Sequence, residues 1–471
     1  MVWRDAEGAT PMLRDEVRWY TEHTALLVST LKWALLGAGA GACVGYSTRG
    51  FLWTISYSGT LVRALTHGAF SPFWLLPLTL PLCVWLIRVV APDAQGHGTE
   101  AVIAAVHTKS GRIDWAVAPV KLVATLLTLA FGGSVGKEGP AAQIGAALTS
   151  LGADILRLTD QDRRRLVICG ISAGFAAVFG TPISGAIFGI EVLYLGRIDY
   201  TLIFPAMVAG IIAHLTCGVQ PPFPALSESM VAIGQTKMIL LSIGSGAFFG
   251  IAALLLIESL RAVQRAAHRI EARPYVLAAI GGAALVVIFF AAGDRYAGLG
   301  VDTIDGVLAG TMRVAGYAFL IKIAATAITL ETGGSGGIVT PIFFVGATAG
   351  AALGQLLGVS PALLAAFGFV SVLAAAANTP IAAAIMAIEV LPRTDAVYAA
   401  LAAVTAFLIV GHRSVYASQK LGISKSAGLE FELGSTVGDF NQSSVRVRKG
   451  SLTERINRFA REITGSDGGG A

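Results

Sequence analysis

The stretch Gly132-Gly133-Ser134-Val135-Gly136-Lys137-Glu138-Gly139-Pro140 places two charged side chains between apolar segments. Proline is favoured in the first turn of a helix, because the N–H that it lacks would have no partner there, so Pro140 predicts a helix start. A helix start presents free backbone N–H groups and about half a positive charge, which is enough to hold an anion. Glu138 is an ionisable group in an apolar region and is therefore the first candidate for a functional residue.

The same pattern recurs about 200 residues further along the chain. The glycine run returns as Gly333-Gly334-Ser335-Gly336-Gly337, followed by Pro341. A second block repeats more closely: Thr181-Pro182-Ile183 through Ile190-Glu191-Val192-Leu193 returns as Thr379-Pro380-Ile381 through Ile388-Glu389-Val390-Leu391. We therefore predict one membrane domain made of two related halves, at about 25–218 and 230–421, with the substrate held near the midplane between them. A polar break near Gln220–Ser229 separates the halves.

The composition supports an all-α polytopic membrane protein. Of the 471 residues 55% are hydrophobic and 13% charged, whereas soluble domains carry roughly 25% charged residues. Apolar segments recur along the whole chain, and several are shorter than the roughly 20 residues that cross a bilayer. Short segments interrupted by glycine and proline are typical of helices that end inside a membrane and line a cavity. The 56 glycines predict dense helix packing.

The two ends of the chain are more polar. Residues 1–24 are mixed in charge and lack the apolar core and cleavage site of a signal peptide. The first membrane helix is expected from about residue 25. Residues 422–471 form a short basic tail, too short for a pair of regulatory domains. Because positive charge favours the cytoplasmic side, we predict that both termini are cytoplasmic and that the chain binds no nucleic acid. By analogy with compact chains that lack regulatory domains, we expect a bacterial plasma membrane.

Several other functions are disfavoured by the sequence. A phosphate-binding loop would need glycine where Phe131 stands and serine or threonine where Glu138 stands. No His-Glu-x-x-His pattern and no Ser/His/Asp grouping is visible, so we expect no enzyme activity, metal, nucleotide or other cofactor. The four cysteines lie in apolar contexts and are interpreted as buried small hydrophobic residues.

Two further glycine-rich motifs precede apolar helical stretches: Gly96-His97-Gly98-Thr99-Glu100 and Gly337-Ile338-Val339-Thr340-Pro341. Glycines let a backbone approach an ion closely, and partial charges bind it weakly enough to release it. A carboxylate beside such a site can occupy it when charged and leave it when protonated. Glu138 is therefore predicted to be a gate, and a helix-dipole partner at a membrane surface is the alternative interpretation.

These motifs resemble those of the CLC family of chloride channels and chloride/proton antiporters, over about residues 33–421. Gly136-Lys137-Glu138-Gly139-Pro140 is similar to the gating-glutamate motif of that family, and Tyr416 falls where its central-site tyrosine is expected. The resemblance implies inverted repeats, a homodimer with one pore per subunit, and chloride as the cargo. The anion-binding candidates that it implies are Gly96, His97, Gly98, Lys137, Gly139, Gly337, Ile338, Val339 and the Tyr416 hydroxyl.

The first departure from the family pattern is in the motif that usually reads Gly-Ser-Gly-Ile-Pro. Here His97 replaces the serine, and Glu100 stands where proline is usual. Thr99 is predicted to cap the following helix. Either the imidazole of His97 points away from the anion, or it contacts the anion and makes binding sensitive to pH.

The second departure concerns protons. In coupled members of the family an internal glutamate ends a helix where this chain has Val192, and Glu191 lies one residue too early, about 100° around the helix. A structural role is predicted for Glu191 because Glu389 repeats it. Lys121 matches a lysine near the proton entrance of relatives. Chloride/proton exchange gated by Glu138 is the function that we predict, and passive chloride conduction is the alternative.

Overall fold

The computed structural model of this protein describes residues 11–65, 70–219, 234–270, 273–391, 393–439 and 446–456. Within these ranges the chain forms sixteen α-helices, and each of the β-strands there spans two residues. Six of the helices are long and apolar enough to cross a membrane. The predicted all-α polytopic membrane fold is therefore confirmed.

The first half of the chain forms eight helices. They are α1 (Pro11–Leu65), α2 (Leu76–Val90), α3 (Thr99–Thr108), α4 (Val117–Ala130), α5 (Glu138–Ile155), α6 (Asp160–Phe179), α7 (Pro182–Glu191) and α8 (Ile203–Cys217). Helix α6 starts where the Thr159 hydroxyl accepts a hydrogen bond from the Asp162 amide, and it ends at Gly180, which has a left-handed conformation. Residue 25 lies inside α1, so the first helix begins before the predicted boundary.

The second half repeats this series with eight more helices. They are α9 (Gln235–His268), α10 (Pro274–Ala292), α11 (Val301–Leu308), α12 (Ala318–Glu331), α13 (Val339–Leu357), α14 (Pro361–Ala377), α15 (Pro380–Val390) and α16 (Arg393–Ile409). Prolines stand in the first turn of α7, α10, α14 and α15, as expected for a residue without an N–H. The polar break predicted at Gln220–Ser229 lies outside the described residues.

Equivalent residues of the two halves pair with each other. The Gly136 amide donates to the Gly337 carbonyl at 2.6 Å, and the Gly337 amide donates to the Gly136 carbonyl at 2.7 Å. The bridge is antiparallel. Two equivalent residues can exchange identical contacts only about a two-fold axis, so the axis passes between these glycines, as inverted repeats require.

A second set of reciprocal contacts lies beside this bridge. The Ser134 amide donates to the Thr329 hydroxyl at 3.1 Å, and the equivalent Ser335 amide donates to the Thr128 hydroxyl at 3.0 Å. These side chains are fully buried. A threonine hydroxyl in the last turn of α4 thus accepts a hydrogen bond from a backbone amide in the glycine-rich loop of the second half, and one in the last turn of α12 does the same for the loop of the first half.

Helices α7 and α15 are also joined reciprocally, through Glu191 and Glu389. Each carboxylate accepts two hydrogen bonds from free amides at the start of the other helix. The four bonds run from Ile381 and Ala382 to Glu191 at 3.0 and 2.8 Å, and from Ile183 and Ser184 to Glu389 at 2.9 Å each. A carboxylate at a helix N-terminus satisfies orphan donors and the positive end of the dipole.

Glycines bring neighbouring helices into backbone contact, as their abundance predicts. A Cβ on Gly346 of α13 would lie 2.2 Å from the Gly368 carbonyl oxygen of α14, and a Cβ on Gly368 would lie 2.1 Å from the Gly346 carbonyl oxygen. The equivalent pair in the first half, Gly145 of α5 and Gly170 of α6, is similarly close. In a membrane, where lipid is as apolar as leucine, such close approach supplies the packing energy between helices.

The cysteines agree with the sequence interpretation at three positions. Cys83, Cys169 and Cys217 are buried, but Cys43 is exposed on α1, and all four are free thiols. The interpretation of Cys43 as buried was wrong, because apolar surroundings in the sequence of a membrane helix can equally face lipid.

The chain after α16 folds back onto the end of α7. Strand β2 (Lys420–Leu421) pairs in parallel with β1 (Tyr194–Leu195), and β3 (Leu429–Glu430) pairs antiparallel with β4 (Arg446–Val447). Because β1 follows α7 closely, the first pairing holds the loop at 410–419 against the interior of the helix bundle. That loop carries Tyr416.

Candidate functional site at the meeting point of helix N-termini

Three glycine-rich loops meet beside the two-fold axis. A Cβ on Gly98 would lie 2.5 Å from the Gly139 carbonyl oxygen, and one on Gly139 would lie 2.2 Å from the His97 carbonyl oxygen. A Cβ on Gly337 would lie 2.6 Å from the Gly139 amide nitrogen. No side chain fits at these positions, so glycine is required for the starts of α3, α5 and α13 to come together.

Glu138, the first residue of α5, is 1% exposed and reaches across the axis to α13. Both of its carboxylate oxygens accept from the Thr340 hydroxyl at 2.6 Å, and Oε2 also accepts from the Thr340 amide at 3.0 Å. These are charge-assisted bonds to the positive end of a helix dipole. The carboxylate therefore sits where the start of α13 can bind an anion.

Ile338 and Val339 lie immediately before this contact, at the start of α13. Their amides have no acceptor within the helix, as in the first turn of any α-helix, and none elsewhere among the described residues. These two amides can donate to a bare anion, whereas the Gly337 amide is already used in the bridge to the Gly136 carbonyl. The helix start is thus shared between the Glu138 carboxylate and any anion that replaces it.

Tyr416 is fully buried in the loop after α16. Its amide donates to the Ser414 hydroxyl at 3.1 Å, and the Val415 amide donates to the Ala376 carbonyl at 2.9 Å. The Tyr416 hydroxyl makes no hydrogen bond of normal geometry within the described chain. A buried hydroxyl without a partner is costly, and an anion would satisfy it.

Thr99 does not cap α3, which corrects the sequence prediction. Helix α3 begins at Thr99 itself, and the cap position belongs to Gly98 with a positive φ of 80°. A threonine inside the helix cannot reach the amides that a cap residue serves. Its hydroxyl is instead buried beside that of Tyr416, without a hydrogen bond of normal geometry. The Thr99 and Tyr416 hydroxyls are thus two buried polar groups at the start of α3.

The His97 side chain is directed toward the other half of the molecule. Its Nε2 lies 3.6 Å from Oε1 of Glu331, the last residue of α12. This distance is too long for a hydrogen bond and becomes an ion pair only when the imidazole is protonated. The Nδ1 atom is buried and unpaired in the described structure. The contact with Glu331 favours the interpretation in which the imidazole points away from the anion.

Two buried lysines support the loops on either side of the axis. Lys121 donates to the carbonyls of Gly96 at 2.6 Å and Ala94 at 3.2 Å. Lys322, its equivalent in α12, donates to Gly298 at 2.7 Å and Tyr296 at 3.1 Å. Lys121 therefore holds the loop that begins with Gly96. Lys137 occupies the cap position of α5, where its carbonyl accepts from the Ala141 amide at 3.1 Å.

The weak proton-pathway candidates lie at the end of α7. Both carboxylate oxygens of Glu191 are engaged by the start of α15, as described above. Val192 is fully buried, and its carbonyl accepts from the Gln419 side-chain amide at 3.0 Å. Gln419 follows Tyr416 in the same loop. The end of α7 therefore braces the loop that carries the tyrosine.

Sequence reasoning missed the partners of the candidates it found. Thr340 holds Glu138, Glu331 faces His97, and Glu100 accepts from the Ser418 amide and hydroxyl at 2.8 and 2.6 Å. The internal repeat could have indicated Thr340, because it stands opposite Gly139 when the two prolines are aligned. Contacts between elements far apart in sequence leave no comparable signal. No group of three or more His, Cys, Asp or Glu side chains suited to a metal occurs in the described part of the chain.

A polytopic helix bundle whose two halves direct helix N-termini at a buried carboxylate defines the class of membrane anion transporters. Comparison with known proteins gives the family. The family model described as the voltage gated chloride channel matches residues 79–411. This chain belongs to that family, the CLC proteins, and it transports small inorganic anions across a membrane.

Individual relatives agree with this assignment. A chloride/fluoride channel protein of Pseudomonas syringae pv. tomato is 34% identical over 414 residues, which cover 86% of this chain and 90% of that protein. The voltage-gated ClC-type chloride channel ClcB of Escherichia coli O157:H7 is 28% identical over 352 residues, covering 70% of this chain and 82% of that protein. The solved structure of a CLC-type fluoride/proton antiporter superposes with a TM-score of 0.77 at 28% identity, covering 83% of this chain and 98% of that one.

Proposed function

We propose that this protein exchanges a small halide for protons and that Glu138 is both the gate and the proton carrier. The observation that carries the proposal is the position of the Glu138 carboxylate on the amide and hydroxyl of Thr340. When ionised, the carboxylate competes with an anion for the start of α13. When protonated, it loses the charge that holds it there and leaves the site to the anion. One residue that alternates in this way couples anion movement to proton movement.

The cargo is proposed to be chloride or fluoride. Both words occur in the name of the Pseudomonas relative, and fluoride occurs in that of the superposed antiporter. Fluoride is the smaller ion and the stronger hydrogen-bond acceptor, so it gains more from the unpaired hydroxyls of Thr99 and Tyr416. We therefore propose that both halides are carried and that fluoride is favoured.

The decisive experiment uses purified protein in liposomes, with a chloride or fluoride gradient and ion-selective and pH electrodes outside. Exchange predicts that halide flow drives protons in the opposite sense, and faster for fluoride. Halide flow without proton movement would instead establish the passive channel. Faster chloride than fluoride movement would overturn only the proposed preference.

The role of Glu138 is tested in the same liposomes with Glu138→Gln, which imitates the protonated side chain. We expect halide flux to persist and proton movement to disappear, because an amide cannot carry the proton. Glu22→Gln on the exposed face of α1 is the matched control and should behave as the wild type. Proton movement that survives in Glu138→Gln would remove Glu138 from the mechanism.

We further propose a homodimer in a bacterial plasma membrane, with both termini in the cytoplasm. Membership of the CLC family supports the dimer, and the bacterial relatives support the choice of membrane. Native mass spectrometry in detergent should give twice the chain mass. Tags placed at the two ends should be protected from protease added to intact cells. A monomer mass would overturn the proposed dimer, and cleavage of a tag by the added protease would overturn the cytoplasmic position of that terminus.

A further inference from the structure

Glu100 is an acidic residue in the first turn of α3 that the mechanism above does not use. Its Oε1 atom accepts hydrogen bonds from the Ser418 amide at 2.8 Å and the Ser418 hydroxyl at 2.6 Å. Its Oε2 atom is buried and makes no hydrogen bond of normal geometry within the described residues, although the Ala417 amide interacts weakly with the carboxyl. A carboxylate oxygen left unpaired in a buried place is costly unless it is sometimes protonated or solvated. One half of this carboxyl is therefore anchored and the other half is free.

The free half of Glu100 belongs to the same neighbourhood as the anion site. Glu100 is the second residue of α3 and Glu138 is the first residue of α5, and these two helix starts touch, because a Cβ on Gly98 would lie 2.5 Å from the Gly139 carbonyl oxygen. Ser418, which anchors Glu100, is two residues from Tyr416 in the same loop. The charged and titratable groups close to Glu100 are His97, in the loop before α3, and Tyr416, in the loop after α16.

Glu191 offers a contrast. Its two oxygens accept from the Ile381 and Ala382 amides, so the ionised form is fully satisfied and protonation would break a helix contact. Glu100 has no second hydrogen bond of normal geometry within the described residues, since the Ala417 amide interacts with it only weakly, and it can take up a proton on Oε2 without losing the bonds from Ser418 to Oε1. Of the two glutamates, only Glu100 combines a free oxygen with a position beside Tyr416.

We propose that Glu100 is a second proton-transfer residue of this protein. Its Oε2 accepts a proton from a hydronium ion, which becomes water, and the neutral carboxyl then gives that proton, through water beside the Tyr416 hydroxyl, to the Glu138 carboxylate. The step forms one O–H bond on Glu138, breaks one on Glu100, and returns Glu100 to its ionised form. Tyr416 keeps its own proton and remains a donor to the anion. This inference rests on the proposed exchange of halide for protons.

The test is Glu100→Gln in liposomes that report halide and proton movement together. Glutamine keeps an oxygen for Ser418 but cannot carry a proton. We expect proton movement to fall by about 100-fold, the usual contribution of a positioned acid or base, while halide flux persists. An unchanged ratio of protons to halide would overturn the inference. Absence of proton movement in the wild type would instead overturn the proposed exchange, so the two failures are distinguishable.

A purely structural role for Glu100, as the anchor of the Tyr416 loop, makes a different prediction. Ser418→Ala removes one anchoring bond and leaves a carboxyl that can still titrate. We expect Ser418→Ala to keep proton movement, and an equal loss in Ser418→Ala and Glu100→Gln would overturn the inference. If Glu100→Gln does not fold, Glu100→Asp and Glu100→Asn replace it, since both are equally short and only aspartate titrates. Equal proton-to-halide ratios in that pair would also overturn the inference.

Discussion

Glu138 and Thr340 show how one contact can act as a switch. The carboxylate is held by a hydroxyl and an amide at the start of α13, and both groups donate hydrogen bonds to it. In the mechanism that we propose, an anion that needs the same donors enters only when the carboxylate is released.

Thr340→Val tests that relation at a single residue. Valine keeps the shape but removes the hydroxyl, so the ionised carboxylate loses about 1.5 kcal/mol of charge-assisted bonding. The pH at the midpoint of acid activation of halide flux is expected to rise by about one unit. Thr348→Val is the control, because that hydroxyl donates to the Phe344 and Val345 carbonyls of its own helix. Equal midpoints in the two variants would contradict a holding role for Thr340.

At the scale of elements, the position of the site depends on where helices begin and how closely they pack. Helices α5 and α13 both start at the two-fold axis, where backbone amides are free. Their neighbours α6 and α14 hold them there through glycine contacts such as that of Gly346 with Gly368. A shift of either helix would move donors away from the carboxylate.

Gly346→Ala is expected to push α13 and α14 apart. The added Cβ would lie 2.2 Å from a carbonyl oxygen of rigid backbone, so we expect a loss of about 1–3 kcal/mol or more in stability and reduced flux. Gly152→Ala in α5 is the control, since a Cβ there meets nothing within 4 Å. It should stabilise the helix by about 0.5–1 kcal/mol. Thermal unfolding in detergent measures both, and equal melting temperatures would contradict the packing argument.

At the scale of the whole molecule, the two halves are joined by contacts that each half gives and receives. Besides the glycine bridge at the axis, Glu191 and Glu389 tie α7 and α15 together from both directions. The two carboxylates are not equally shielded from water, because Glu191 is only 5% exposed whereas Glu389 is only partly buried. Bonds to a carboxylate are worth less where water competes for them.

Replacement of each glutamate by glutamine tests how much these contacts between α7 and α15 contribute to stability. The glutamine NH2 group would face one of the two helix-start amides, donor against donor. We expect Glu191→Gln to cost about 1–3 kcal/mol and Glu389→Gln to cost less, read from melting temperatures in detergent. The ratio of protons to halide should stay at the wild-type value in both variants. A Glu191→Gln protein that melts normally yet moves no protons would make Glu191 part of the proton route.

The sequence by itself determined the membrane class, the two halves and the choice of Glu138. These follow from local properties: apolar runs, prolines that only helix starts accept, and glycine motifs repeated about 200 residues apart. Local reasoning was wrong at two residues: Thr99 was predicted to cap α3 but lies inside it, and Cys43 was predicted to be buried but is exposed.

Only the tertiary structure decided which residues meet. Glu138 contacts Thr340, and His97 lies beside Glu331, although more than 200 residues of chain separate the members of each pair. Ser418, near the C-terminal end of the chain, bonds one carboxylate oxygen of Glu100 and leaves the other oxygen free. Periodicity and spacing record how a segment folds, not which distant segment it touches. That choice belongs to the packing of the two halves about their axis, because only there do the helix starts and the carboxylates come within bonding distance.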